Sequence, residues 1–221
     1  MEGMTRGRRV VLTLTLVALA VACAPKTAPP ATAPSPSSAV GDVRELTASP
    51  APLPPGTYTR TAFRPAVTLE IPEGWSSVNR FDDFFDVEQD VGSPDVIAVQ
   101  IARPRGIVGR SGVQSVGTPH EACEVLSENP GLRMGASSHS RLGGLDGQVC
   151  VVENGSGQHV GVMALGPGTL GIDPGRKLWI ACFTTPQGLV AVMVGGSVGK
   201  WNEALAAAEP ILQSIRFPVT P

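Results

Sequence analysis

Short runs in which apolar and polar side chains alternate fill the part of this chain beyond Tyr58. Val67-Thr68-Leu69-Glu70-Ile71 alternates at every step, the period of a strand with one buried face. Pro72-Glu73-Gly74 ends that run in a turn before Trp75. Phe84 to Val87 and Val96 to Ala102 read as strands on the same ground. Gln148 to Val152, Val160 to Leu165, Leu178 to Thr184 and Leu189 to Val194 follow, and Pro186-Gln187-Gly188 gives the last two a hairpin connection.

Two stretches change to helical spacing. Thr118-Pro119-His120-Glu121 is a start signal, with Thr118 as cap, Pro119 at the first helical position and Glu121 closing a capping box. This helix is expected to run to about Glu128, stop at Asn129-Pro130-Gly131, and bury Ala122, Cys123 and Leu126. A second helix from about Gly199 places Trp201, Leu205 and Ala208 on one side. Pro210 is expected to end or restart it, because proline lacks the N–H that a helix interior uses, and Ile211 to Phe217 close the domain. Strands in a run with helices at two points predict an α+β domain over residues 57–221, a mainly antiparallel sheet covered by two helices.

The chain before Thr57 follows neither period. Three arginines precede Val10 to Ala22, an apolar run without a single charge. That run is too short to span a bilayer, which takes about 20 residues. A basic start, a short apolar centre and small residues at its end describe a secretory leader, residues 1–22. Its end, Leu19-Ala20-Val21-Ala22-Cys23, resembles the bacterial lipoprotein signal, with Ala20 where leucine is commonest. The resemblance implies that Cys23 carries a diacylglyceryl group, that cleavage falls before it, and that the new N-terminus is acylated. Two or three acyl chains anchor stably where one binds marginally, so the expected location is the extracytoplasmic face of a bacterial membrane. An ordinary leader with Cys23 free is the alternative, and Arg8-Arg9 is loosely similar to a twin-arginine export signal. The stretch from Ala24 to Gly56 holds nine prolines among Ala, Ser and Thr. Such a composition favours extended polyproline II and predicts a disordered spacer over residues 23–56.

Charge narrows the partners. The leader holds three arginines and one glutamate, which leaves 14 basic against 18 acidic residues and a net charge of −4 in the mature chain. A mildly acidic surface carries no electrostatic footprint for nucleic acid. The 42% hydrophobic content suits a globular domain able to bury a core without metals.

Ile71-Pro72-Glu73-Gly74-Trp75, Asn129-Pro130-Gly131-Leu132, Gly143-Gly144-Leu145-Asp146-Gly147 and the closing Ile211 to Phe217 resemble a group of bacterial lipoproteins without an assigned role. Their domains are similar to the PsbP/Mog1-like α/β sandwich. The motifs are turn and packing signatures, so the resemblance implies a fold and carries over no catalytic residue.

Several patterns invite a catalytic or binding reading. Gly195-Gly196-Ser197-Val198-Gly199 is a G-x-S-x-G between an apolar strand and a helix, the setting of a nucleophile elbow. The chain from Val198 to its end holds no His and no Asp, so the usual order of triad partners is missing. His120-Glu121-Ala122-Cys123-Glu124 has Glu where a zinc-protease helix needs its second His, and His139 and His159 are isolated in sequence. Residues 166–177, GPGTLGIDPGRK, lack the Gly-Lys-Ser/Thr of a phosphate loop and read as a long loop that can serve as a binding element. Asp82, Asp83, Asp86, Glu88, Asp90 and Asp95 form the densest charge in the chain, interleaved with Phe81, Phe84, Phe85 and Val87. That spacing predicts a strand or loop with one wet face. No motif asks for a cofactor or a metal.

Cys123, Cys150 and Cys182 remain in the domain, an odd number, so at most one internal bridge forms. A Cys150–Cys182 bridge is expected if their strands are neighbours with both side chains on one face. Three buried thiols or a bridge through Cys123 are the alternatives, and a simple meander would place the Val160 to Leu165 strand between Cys150 and Cys182. The function expected from all this is a non-catalytic binding or accessory domain of the cell envelope, contacting an envelope protein or ligand. An extracytoplasmic hydrolase using Ser197 or an upstream His is the other class; an enzyme needs a His or carboxylate within about 3.2 Å of the Ser197 hydroxyl.

Overall fold

The computed structural model describes residues 42–46, 50–166 and 168–218. The leader, Cys23 and the greater part of the Pro-rich segment lie outside the described residues. In chain order the elements are β1 (Arg44–Glu45), β2 (Ala51–Pro52), β3 (Gly56–Arg60), β4 (Val67–Ile71), β5 (Trp75–Phe81), β6 (Phe84–Gln89), β7 (Ile97–Ala102), β8 (Gly106–Gly109), β9 (Gly112–Gln114) and α1 (Pro119–Ser127). Then come β10 (Leu132–Leu142), β11 (Leu145–Asn154), β12 (Val160–Leu165), β13 (Gly168–Ile172), β14 (Arg176–Thr185), β15 (Gly188–Ser197) and α2 (Trp201–Ser214).

Among the described residues, an eight-stranded antiparallel sheet in the order β10-β11-β14-β15-β7-β6-β5-β2 forms the middle layer. A three-stranded sheet, β1-β3-β4, packs with α2 on one face. A four-stranded sheet, β13-β12-β8-β9, packs with α1 on the other. The α+β class with two covering helices is therefore the architecture. Two-sided cover explains why β15 is buried at every residue from Leu189 to Gly196. Its Val190, Val192 and Val194 join the core under α2, whereas Leu189, Ala191 and Met193 join the core under α1.

The helix signals act as expected at α1. Thr118 accepts from the Glu121 N–H at 3.2 Å, and the Glu121 carboxylate accepts from the Thr118 N–H at 3.2 Å. At α2 the expectation fails, because Pro210 neither ends nor restarts the helix. Pro210 and Ala206, four residues earlier, are both exposed, so water can take the carbonyl that loses its partner.

The folded body also starts earlier than residue 57. Leu46 is 0% exposed, its N–H donates to the Thr59 carbonyl at 2.7 Å, and β2 pairs with β5. Residues 166–177 are not a long loop: Gly168–Ile172 forms β13 and pairs with β12. β12 in turn lies in the four-stranded sheet, so β11 and β14 are direct neighbours, contrary to the meander.

Candidate functional site

One transverse row of the middle sheet runs Glu88 on β6, Ala98 on β7, Gly195 on β15 and Leu178 on β14, each in register with the next. Its side chains stand on the face that also carries Phe84, Ala102 and Met193. Ala98 and Gly195 leave the centre of the row low. A Cβ placed on Gly195 would lie 3.1 Å from Leu178 Cδ2 and 3.9 Å from Ala98 Cβ. Above this floor opens a cleft of about 450 Å³, with Glu88, Gln100, Arg176, Ser93 and Asp173 among its polar lining and the Ser93–Pro94 and Gly171–Pro174 segments as rims.

The charges at its two ends are held differently. The half-buried Arg176 guanidinium donates from Nη1 to the Pro94 carbonyl at 3.1 Å and from Nη2 to the Val96 carbonyl at 2.7 Å, which fixes the rim. Burial lowers its pKa from the ordinary arginine value, against the pull of Asp173, Glu88 and Asp95. At the other end burial raises the Glu88 carboxyl above the usual range, and the nearby Asp86 charge adds to this while Arg176 opposes it. Asp86 is itself 1% exposed. The acidic run is therefore not simply a wet face, since Asp86 lies in the interior and Glu88 on a cleft wall.

A raised carboxylate pKa has a definite consequence. The folded state holds the Glu88 proton more tightly than the unfolded chain does, so this group's contribution favours folding below the unfolded value and is lost as pH rises through the folded one. Glu88→Gln is expected to raise the unfolding midpoint at neutral pH and to leave it nearly unchanged below the pKa of an unfolded glutamate. Urea titrations at several pH values test this, and an equal shift at every pH would refute the assignment.

Ser197 lies at the end of β15, near the cleft. Its hydroxyl donates to Asp95 Oδ1 at 3.1 Å, and Lys200 Nζ meets Asp95 Oδ2 at 2.7 Å. The distance asked of a hydrolase is thus met by a carboxylate, one that Lys200 also engages. The hydrogen bonds from Lys200 and then Ser197 hold the Asp95 carboxyl below the usual range, making it a weak base. The paired glycines before Ser197 have a packing reason too, since a Cβ on Gly196 would lie 2.6 Å from Ala204 Cβ on α2. His120 and Glu124 pair at 3.2 Å along the exposed side of α1, and His159 Nδ1 meets Asp173 Oδ1 at 2.8 Å on the surface. His139 is exposed on β10. Among the described residues no three His, Cys, Asp or Glu side chains converge as metal ligands.

Cys123, Cys150 and Cys182 are free buried thiols in one hydrophobic cluster. Cys150 stands opposite Ile180 and Cys182 opposite Gln148, so the two cysteines are diagonal neighbours across β11 and β14. Diagonal pairs lie about 7–8 Å apart, outside the roughly 4.4–6.8 Å between Cα atoms that a disulfide needs. The register thus argues against the Cys150–Cys182 bridge.

The cleft residues are only partly visible in the sequence. There Glu88 reads as part of a solvated acidic run, and Arg176 stands near the end of GPGTLGIDPGRK, whose loop reading does hint at a binding element. Nothing in the local pattern marks Gln100 or Ala98.

No family model matches the chain, and no curated protein does. Several solved structures are similar. The solution structure of the PsbP protein of Synechocystis sp. PCC 6803 is 11% identical, with 78% of this chain and 94% of that one covered at a TM-score of 0.41. LpqN of Mycobacterium tuberculosis, a protein involved in cell envelope biogenesis, is 10% identical, with 77% and 91% covered at a TM-score of 0.36. A crystal structure from Bacteroides thetaiotaomicron is 9% identical, with 69% of this chain covered at a TM-score of 0.37. The chain spans 45% of that protein's length.

Proposed function

We propose that this chain is a lipoprotein of the bacterial cell envelope, tethered through Cys23, whose domain binds a polar envelope ligand or protein segment in the Glu88–Arg176 cleft without catalysing a reaction on it. The observation that carries the binding reading is the low floor at Ala98 and Gly195 between two half-buried, oppositely charged side chains. Concave sites with a few convergent polar groups are where ligands bind, and a displaced carboxyl pKa belongs to such places. Gln100 offers both donors and an acceptor on the same floor, which suits a partner rich in amides or hydroxyls. The leader and the Pro-rich segment support the location: an address followed by a spacer that lifts a domain off its membrane.

The test is retrieval of the full-length lipoprotein from its own membranes, wild type beside Glu88→Arg, with bound components identified by mass spectrometry. A component held by the wild type and lost from an equally stable Glu88→Arg protein supports the cleft. Identical sets from both proteins sink it. A fluorophosphonate adduct on Ser197 would replace the binding reading with the hydrolase one.

A further inference from the structure

Past the end of β7 the chain runs Arg103-Pro104-Arg105 and is pinned at both arginines. The Arg103 N–H donates to the Asp83 carbonyl at 2.7 Å, and the Arg105 N–H to the Ala164 carbonyl at 2.8 Å. Both arginines line a cavity of about 290 Å³, with Asp83 and Gln187 as its other polar side chains and Pro104 and Leu189 as its apolar part. Arg103 stands beyond Ala98 on the same run of chain, about 17 Å along the strand direction from the Glu88 cleft.

Neither guanidinium has an acceptor. Arg60, Arg133, Arg141, Arg176 and Arg216 each reach a carbonyl or a carboxylate. Among the described residues the Arg103 and Arg105 side chains reach none. Arg103 is nonetheless held in place: its guanidinium carbon lies 6.0 Å from the centre of the Phe63 ring, and Phe63 is 0% exposed and edge-on to Phe85. Its Nε is buried without a partner, so the Nη groups carry the donors that an incoming anion can reach. A half-buried cation, fixed and with donors to spare, marks a site that lacks its anion. Asp83 does not fill that role. Its Oδ2 accepts from the Gly166 N–H at 2.7 Å, and one carboxylate against two guanidinium groups leaves the cavity net positive.

We propose that this cavity binds a phosphate group, as free phosphate or as the headgroup of a phospholipid, independently of the Glu88 cleft. The two oxygens of a carboxylate are used up by one arginine fork. A tetrahedral phosphate offers oxygens to two guanidinium groups that approach from different positions, and the Gln187 amide can donate to another.

The full chain, purified in a maltoside detergent and without phosphate buffer, is titrated with inorganic phosphate at fixed low ionic strength. A second arm adds a short-chain phosphatidylglycerol, with a diacylglycerol of the same chains as blank. Arg105→Gln removes the exposed arginine and Arg103→Gln the half-buried one. Arg110→Gln, at an exposed arginine in the turn between β8 and β9, controls for charge alone. Loss of one charge-assisted contact weakens binding about tenfold or more, so both cavity variants should fall by that factor while Arg110→Gln matches the wild type. If Arg103→Gln fails to fold, Arg105→Gln decides. Saturation by inorganic phosphate supports a free-phosphate site, and a saturable response to phosphatidylglycerol alone supports the headgroup. Absence of saturable binding in both arms overturns the proposal, as does an equal loss in Arg105→Gln and Arg110→Gln. Acetate that competes as well as phosphate does would overturn the phosphate chemistry.

Discussion

Gly147→Ala is expected to lower the stability of the domain by about 3 kcal/mol. Gly147 stands on β11 directly opposite Phe183 on β14. A Cβ at this position would lie 2.1 Å from the Cys182 carbonyl oxygen and 2.5 Å from Phe183 Cδ1. Neither neighbour can yield cheaply. Cys182 belongs to a strand paired on both sides, by β11 and β15, and Phe183 is 0% exposed in the core under α2. The stiffer unfolded chain returns only about 0.4–1 kcal/mol, too little to offset the clash. Gly144→Ala is the internal control. Gly144 has φ +86° and nothing within 4 Å of an added Cβ, so only the left-handed backbone penalises it, at about 1–2 kcal/mol. Urea unfolding of both variants decides the matter, and a Gly147→Ala midpoint at or above that of Gly144→Ala would refute the close approach.

That contrast shows what the sequence can and cannot disclose. Gly143-Gly144-Leu145-Asp146-Gly147 is visible as a motif, yet its glycines do different work. Gly143 and Gly144 have φ +59° and +86° and join β10 to β11 in a two-residue turn, whereas Gly147 makes room for a neighbouring strand. Local chemistry is legible where it is self-contained, as in the Thr118–Glu121 capping box and the apolar runs of β14 and β15. β10 escapes a reading by pattern because it is a mostly exposed edge strand, polar from Ser137 to Arg141, with no apolar alternation to reveal it. β1 and β2 are hidden by a Pro-rich composition, although Leu46 anchors that segment in the core. The cleft is beyond reach for another reason. Alternation correctly sets Asp86 and Glu88 apart from Phe85 and Val87, but alternation alone cannot say that a face is covered. The cover at Glu88 comes from residues 171–174, more than eighty positions further along the chain.

On the proposed lipid anchor, Cys23→Ala is expected to move the chain out of the membrane fraction, or to leave an unprocessed precursor. The ground is the uncharged run from Val10 through Ala20-Val21-Ala22 to Cys23, too short to span a bilayer and proposed above as a cleaved leader. At about 0.8 kcal/mol per buried CH₂, an acyl chain with about a dozen such groups contributes on the order of 10 kcal/mol, so losing every chain removes essentially all membrane affinity. Among the described residues no helix is long and apolar enough to cross a membrane. The unfolding midpoint of the domain should be unchanged in the variant, which separates loss of the tether from loss of the fold. Membrane fractionation with intact-mass measurement reads both outcomes: a mature-length chain in the soluble fraction, or a chain that keeps residues 1–22. A Cys23→Ala protein that is processed and retained like wild type would show that lipid on Cys23 is not the anchor.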